Sequence, residues 1–172
     1  EVAYTATNQV LEVCEVEGSN SVELNLTTMA PLFNVANGVV IKYFTSLEDA
    51  QTNTNAIANP VAYTTSETAG VIYVRFEQDG FCAAITSFNY LVNPLPVIEV
   101  EPSITICEGE VYTLDLSSYT NYTFTVSGNA TEIRNKVYQL SETGVYSISV
   151  TTASGCQRAY TFELNVTTKP VF

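Results

Sequence analysis

Histidine and tryptophan are both absent from the 172 residues, and lysine and arginine together number only six. Without histidine there is no Ser-His-Asp or Cys-His nucleophile, no His-ligated zinc, no proximal haem ligand and no imidazole general base. Schiff-base chemistry or phosphate clamping would rest on Lys42, Lys136 or Lys169, none of which stands in a recognisable motif. Eighteen acidic residues bring the formal net charge to −12, and so acidic a surface repels phosphate backbones, which excludes nucleic acid as a partner. Apolar runs such as residues 37–44 fall far short of the roughly 20 residues that span a bilayer, so no membrane insertion is expected. No charged and apolar leader opens the chain, which reads as a mature segment or an internal piece of something longer.

What is present suits a globular chain of two domains: 46% of the residues are hydrophobic, and four cysteines stand at positions 14, 82, 107 and 156. They form no C-x-x-C pair and have no histidine to complete a zinc site, so a disulfide framework in an oxidising compartment is the simpler reading. Three pairings are open in principle.

The chain repeats itself. SETAGVIYVRF leads to Gly80-Phe81-Cys82 in the first half, and SETGVYSISV leads to Ser154-Gly155-Cys156 in the second. Gly70 and Gly144 each precede their cysteine by 12 positions, and Phe88 and Phe162 each follow it by six. Val13-Cys14-Glu15 before VELNL likewise matches Ile106-Cys107-Glu108 before YTLDL. Two copies of one module follow. The repeat favours Cys14 with Cys82 and Cys107 with Cys156, spans of 68 and 49 residues, the longer first copy carrying its extra residues in the middle. Each such staple would restrict the unfolded module by about 4 kcal/mol in the chain-entropy model. Cys107 ends a first strand and Cys156 opens a last one, which would put the second bond at an edge. Asn93-Pro94-Leu95-Pro96 makes a semi-rigid spacer, dividing the chain into a longer module at 1–97 and a shorter one at 98–172.

Alternation of apolar and polar residues predicts strands almost throughout: Val22, Leu24 and Leu26; Tyr146, Ile148 and Val150; Phe162, Leu164 and Val166. Turn chemistry separates them at Glu17-Gly18-Ser19-Asn20, Asp79-Gly80, Glu108-Gly109, Ser127-Gly128-Asn129 and Ala153-Ser154-Gly155. The expected fold is all-β, two tandem antiparallel immunoglobulin-like sandwiches, the first with an insertion containing a short helix at Ser46 to Gln51, where Ser46 can cap and Asp49 stands three residues on.

Leu24-Asn25-Leu26-Thr27, the run from Ile41 to Ala50, Ile57 to Tyr63, Ile72-Tyr73-Val74-Arg75, Gly80-Phe81-Cys82 and Val92 to Pro96 together resemble a repeat of very large surface proteins of gliding Bacteroidetes, exported by the type IX secretion system. Cys107-Glu108-Gly109, Thr143 to Tyr146 and Gly155-Cys156 resemble the shorter immunoglobulin-like or PKD-like repeat of the same proteins. The resemblance implies an extracellular, cell-surface location, adhesion or gliding motility, neighbouring repeat modules of the same chain as partners, and the secretion machinery as a partner of the full-length protein. Relatives usually carry an aspartate-rich run after the first cysteine, where this chain has Glu15-Val16-Glu17-Gly18-Ser19-Asn20. No cofactor is expected, calcium being the one ion such acids would suit.

Several residues admit a sharper reading. Glu15 with Glu17, Glu99 with Glu101, and Glu108 with Glu110 stand at i and i+2, which on a strand would align both carboxylates for calcium or for glycoside hydrolysis; a solvated strand edge is the simpler reading. Most tyrosines are expected in the core or across strands, while Tyr119 and Tyr122, in a loop-like stretch, are the candidates for stacking on a sugar. Arg75 is either a ligand anchor or a structural ion pair and backbone cap, and the second is preferred. Sequons at Asn25, Asn121, Asn129 and Asn165 carry no message in a chain from the bacterial source that the resemblance implies. The function expected is therefore a non-catalytic structural or adhesive segment of a large secreted surface protein, with a polysaccharide-binding module of an adhesin or secreted hydrolase as the alternative.

Overall fold

The computed structural model describes residues 1–168. The chain divides into two compact units, residues 1–94 and 95–172.

In the first unit one four-stranded sheet is made of β1 (Val10–Cys14), β3 (Val40–Phe44), β5 (Ala69–Glu77) and β6 (Ala84–Asn93), in the order β1-β6-β5-β3. A two-stranded sheet, β2 (Val22–Leu24) with β4 (Tyr63–Thr65), lies apart from it in the pairing. Ile72, Val74 and Phe76 of β5 and Phe88, Tyr90 and Val92 of β6 alternate into one core with Val22 and Leu24 of β2. This period of two is what the sequence pattern demands of a half-buried strand.

The expected strand through Leu26 stops early. Asn25 Oδ1 accepts hydrogen bonds from the Thr27 backbone N–H at 3.1 Å and the Thr27 hydroxyl at 2.6 Å, and this cap turns the chain into a 3-10 helix over Leu26–Phe33. Leu26, Met29 and Phe33 still reach the core, so the buried side chain survives a change of element. The expected helix forms as α1 (Leu47–Thr52), with Ser46 as its N-cap.

The second unit places β7 (Ser103–Cys107), β9 (Tyr122–Ser127), β12 (Gly144–Thr152) and β13 (Gln157–Thr167) in the order β7-β13-β12-β9, opposite a three-stranded sheet of β8 (Tyr112–Asp115), β10 (Ala130–Arg134) and β11 (Val137–Leu140). Its core joins Leu114, Leu116, Tyr138 and Leu140 to Tyr146, Ile148, Val150, Phe162 and Leu164. Two sheets over one apolar layer make each unit a β-sandwich of immunoglobulin type.

One feature departs from an all-antiparallel sandwich. The first strand of each unit pairs in parallel with the last: Cys14 is level with Asn93 in β1 and β6, and Cys107 is level with Thr167 in β7 and β13. The backbone continues identically past both cysteines, since Glu15 N–H donates to the Asn93 carbonyl and Glu108 N–H to the Thr167 carbonyl, each at 2.9 Å.

Candidate functional site

The cysteines occupy two kinds of position. Cys14 and Cys107 end the first strand of their units, and Cys82 and Cys156 lie in the turn that opens the last hairpin strand. These turns are shaped by Gly80 at φ +82° and Gly155 at φ +87°, a left-handed backbone that a side chain would strain.

Parallel pairing then separates the two cysteines of one unit. Cys14 is level with the last residue of the ten-residue β6, whereas Cys82 stands two positions before its first, so about 30 Å of strand lies between them at about 3.3 Å per residue. The same holds for Cys107 and Cys156 at the two ends of β13. A disulfide needs Cα atoms within about 7 Å, so neither bond favoured by the repeat can form. The half-cystines are instead Cys14 and Cys156, and Cys82 and Cys107 are free thiols. The pairings Cys14–Cys82 and Cys107–Cys156 are corrected to a single Cys14–Cys156 bond, closing a loop between positions 142 apart in sequence.

The other candidates resolve into structural roles. Arg75 Nε lies 2.7 Å from Glu77 Oε1, and its guanidinium donates to the carbonyls of Ala50 at 3.0 Å and Gln51 at 3.3 Å. A cation on the last carbonyls of α1 meets the negative end of the helix, so Arg75 is both ion pair and backbone cap. Lys42, directly across the β3–β5 ladder from Arg75, reaches Glu77 Oε2 at 2.7 Å. The hydrogen bonds from Lys42 and then Arg75 hold the Glu77 carboxyl below its ordinary pKa. Glu77 is the member that the sequence reading missed; Arg75-x-Glu77 on one strand face was its signal. An open depression of about 540 Å³ beside these residues, lined also by Val40, Asp79 and Phe81, therefore has its carboxylate at Glu77 already committed to two cations.

None of the three carboxylate pairs lies on a strand. Glu15 with Glu17 and Glu108 with Glu110 fall in turns after β1 and β7, and Glu99 with Glu101 lies in the connection between β6 and β7. Glu110 Oε2 accepts the Cys107 backbone N–H at 2.9 Å, holding the turn around Gly109. Among the described residues no group of three or more Asp, Glu, Cys or His is gathered as a metal site.

Tyr119 and Tyr122 are brought together, with ring centroids 6.1 Å apart and planes 14° from parallel. Both are half-buried and pack on Phe124, and the Tyr119 hydroxyl accepts the Glu99 backbone N–H at 3.0 Å. Lys136 donates to the carbonyls of Tyr119 and Thr120 and lies 5.8 Å from the Phe124 ring centroid. Much of each tyrosine surface is thus spent on the unit itself. Tyr43, Tyr90, Tyr138 and Tyr146 are buried core residues, and burial pushes the Tyr43 phenol up to about 12. Lys169 lies outside the described residues.

Residues 10–96 match the model of a family described as the Flavobacterium inter-domain disulphide bond domain. The chain belongs to this family. A search of curated proteins finds no match. Among solved structures, the chain is similar to the immunoglobulin domain pair DIP-gamma IG1+IG2 (10% identity, TM-score 0.36, covering 95% of this chain and 96% of that one) and to the tandem Ig repeats of Dlar (12% identity, TM-score 0.34, covering 96% and 97%). It is also similar to SGBP-B of the mixed-linkage glucan utilization locus of Bacteroides ovatus, solved with a heptasaccharide, at 13% identity and a TM-score of 0.27, over 91% of this chain and 44% of that one. The chain thus spans less than half the length of that glucan-locus protein. In this inter-domain disulphide family member, the bonded cysteines belong one to each unit.

Proposed function

We propose that the chain is a non-catalytic structural segment of a large extracellular protein, two sandwich modules whose Cys14–Cys156 bond ties one module covalently to the next. The observation that carries this reading is the division of one disulfide between two units that each have their own core. A bond inside a module would serve that module's stability; a bond shared between modules serves the array. It limits how far the array can be drawn out and how much a proteolytic nick can release, and it persists only outside the reducing cytoplasm. The resemblance to repeats of type IX cargo supports a place in a surface adhesin of the gliding Bacteroidetes, with adhesion or motility as the task of the whole protein.

Antibodies raised against the chain, applied to intact cells of the bacterium that encodes it and to an isogenic strain lacking the type IX translocon, test the location. Labelling of intact cells that is lost in the translocon mutant is expected. Labelling that appears only after permeabilisation would overturn the proposal.

A further inference from the structure

A strand at the edge of a sheet presents unpaired N–H and C=O groups, and folded chains blunt it with a charge, a bulge or a covering group. Most sheet edges of this molecule are blunted. Glu12 lies in β1, Glu23 in β2, Lys42 in β3 and Asp115 in β8. β10 carries Glu132 and Arg134, with a register shift between them. β7 has no charge of its own, but the Glu110 carboxylate accepts its Cys107 N–H, and the Cys107 carbonyl accepts the Glu110 N–H. β4 is only three residues long.

β9, at the edge of the four-stranded sheet of the second unit, has none of these devices among the described residues. Its six residues, YTFTVS, hold no charge and no proline, and they pair with β12 without a register shift. Beyond that ladder the backbone of residues 123–127 makes no hydrogen bond among the described residues. In a one-sided antiparallel ladder alternate residues turn both backbone groups away from the partner, so the outer side of β9 offers donors and acceptors in register. The side chains are incomplete in the same direction. Phe124 and Val126 lie opposite Val150 and Ile148 of β12, which are fully buried, yet they are themselves only half-buried because no strand lies beyond them.

We infer that β9 docks against β9 of a second copy of this chain, joining two four-stranded sheets into one across a two-fold axis at Thr125. Antiparallel self-pairing about that residue sets Thr125 opposite Thr125, Phe124 opposite Val126 and Thr123 opposite Ser127. Residues equally far from the centre fall on the same face of the sheet. Hydroxyls therefore meet hydroxyls on the exposed face, and an aromatic ring meets a β-branched side chain on the core face, both favourable cross-strand pairs. Charge selects the same occupant. A chain of net charge −12 repels its own copies over most of its surface, and β9 brings no charge into the joint. Such an isologous contact uses one patch twice and closes at two copies. It adds a contact between chains to the tie within a chain proposed above, and it stands whether or not that tie belongs to an array.

The test is sedimentation velocity of the oxidised chain with Cys82 and Cys107 alkylated, which keeps Cys14–Cys156 and prevents adventitious cross-links. Between about 10 μM and about 1 mM the wild-type sedimentation coefficient should rise towards that of a dimer, and more so at about 0.15 M than at about 0.01 M salt, where repulsion is less screened. Thr125→Lys and Thr125→Glu each set like charges face to face and should stay monomeric with unchanged thermal midpoints, while their equimolar mixture should associate again. An independent measure is Thr125→Cys in a Cys82→Ser, Cys107→Ser background. Cysteines opposed at the axis should cross-link under oxidised glutathione at least about tenfold faster than Val145→Cys in the same background, Val145 being 70% exposed on the inner strand β12. Wild type that stays monomeric throughout would overturn the inference and leave the edge to an extended segment of another protein. A dimer that Thr125→Lys leaves intact, or equal cross-linking at the two positions, would overturn it as well.

Discussion

At the scale of single residues, equivalent positions in the two modules carry different consequences. Gly70 faces Tyr90 so closely that an added Cβ would stand 2.6 Å from the ring, while Gly144, its counterpart in the repeat, has nothing within 4 Å. Tyr90 is buried and its hydroxyl lies 3.3 Å from that of Thr65, so the ring has little room to withdraw. Gly70→Ala should therefore destabilise the first unit by about 1–3 kcal/mol, and Gly144→Ala should change the second by less than about 0.5, as read by urea denaturation of each variant. Glu77 has a second, pH-linked role. Its folded pKa is depressed by Lys42 and Arg75, so its contribution to stability is present above the pKa of the unfolded chain and is lost as pH falls through the lower folded value. Acid titration of wild type and Glu77→Gln should show the variant less stable at pH 7, with the gap closing towards pH 3. A gap independent of pH would show that the carboxylate charge contributes nothing.

At the scale of elements, α1 illustrates how a short helix is held by its ends. Six residues cannot sustain a helix by propensity alone. Ser46 Oγ accepts the Asp49 backbone N–H at 3.1 Å, and the Asp49 carboxylate accepts from the Ser46 hydroxyl at 2.7 Å and from Asn55 Nδ2 at 2.8 Å, which lowers its pKa. At the other end Asn53 takes the left-handed conformation and Arg75 covers two carbonyls. Ser46→Ala should cost about 1 kcal/mol, and Arg75→Ala about 1–3 because it leaves the Ala50 and Gln51 carbonyls without their donor and Glu77 with Lys42 alone, both measurable as lowered denaturation midpoints. The cap and the helix were legible in the sequence because they are local. The 3-10 helix over Leu26–Phe33 was not, since Val22, Leu24 and Leu26 alternate as a strand would; the Asn25 side chain ends the strand, and such a bond competes with the ladder without disturbing the apolar pattern.

At the scale of the whole molecule, the Cys14–Cys156 bond couples units that otherwise have separate cores. When one unit unfolds while the other stays folded, the bond and the connecting chain close a loop of roughly 60–80 residues, which the chain-entropy model values at about 4–5 kcal/mol. The less stable unit gains this restraint first. Calorimetry of the oxidised chain should show transitions drawn together, and reduction should separate them by lowering the less stable unit; an unchanged thermogram would show that the bond restrains neither.

Within the chain itself lay the duplicated module, the alternation that makes its strands, the turn glycines and the capped helix, because each is written in contacts or periods a few residues long. The partner of each cysteine was not. Two copies of the same pair of cysteines are equally consistent with bonds inside modules and with bonds from one to the next, and spacing does not distinguish them. The choice fell to the parallel pairing of first strand with last, which holds the two cysteines of a module at opposite ends of about 30 Å of strand, beyond the reach of a disulfide.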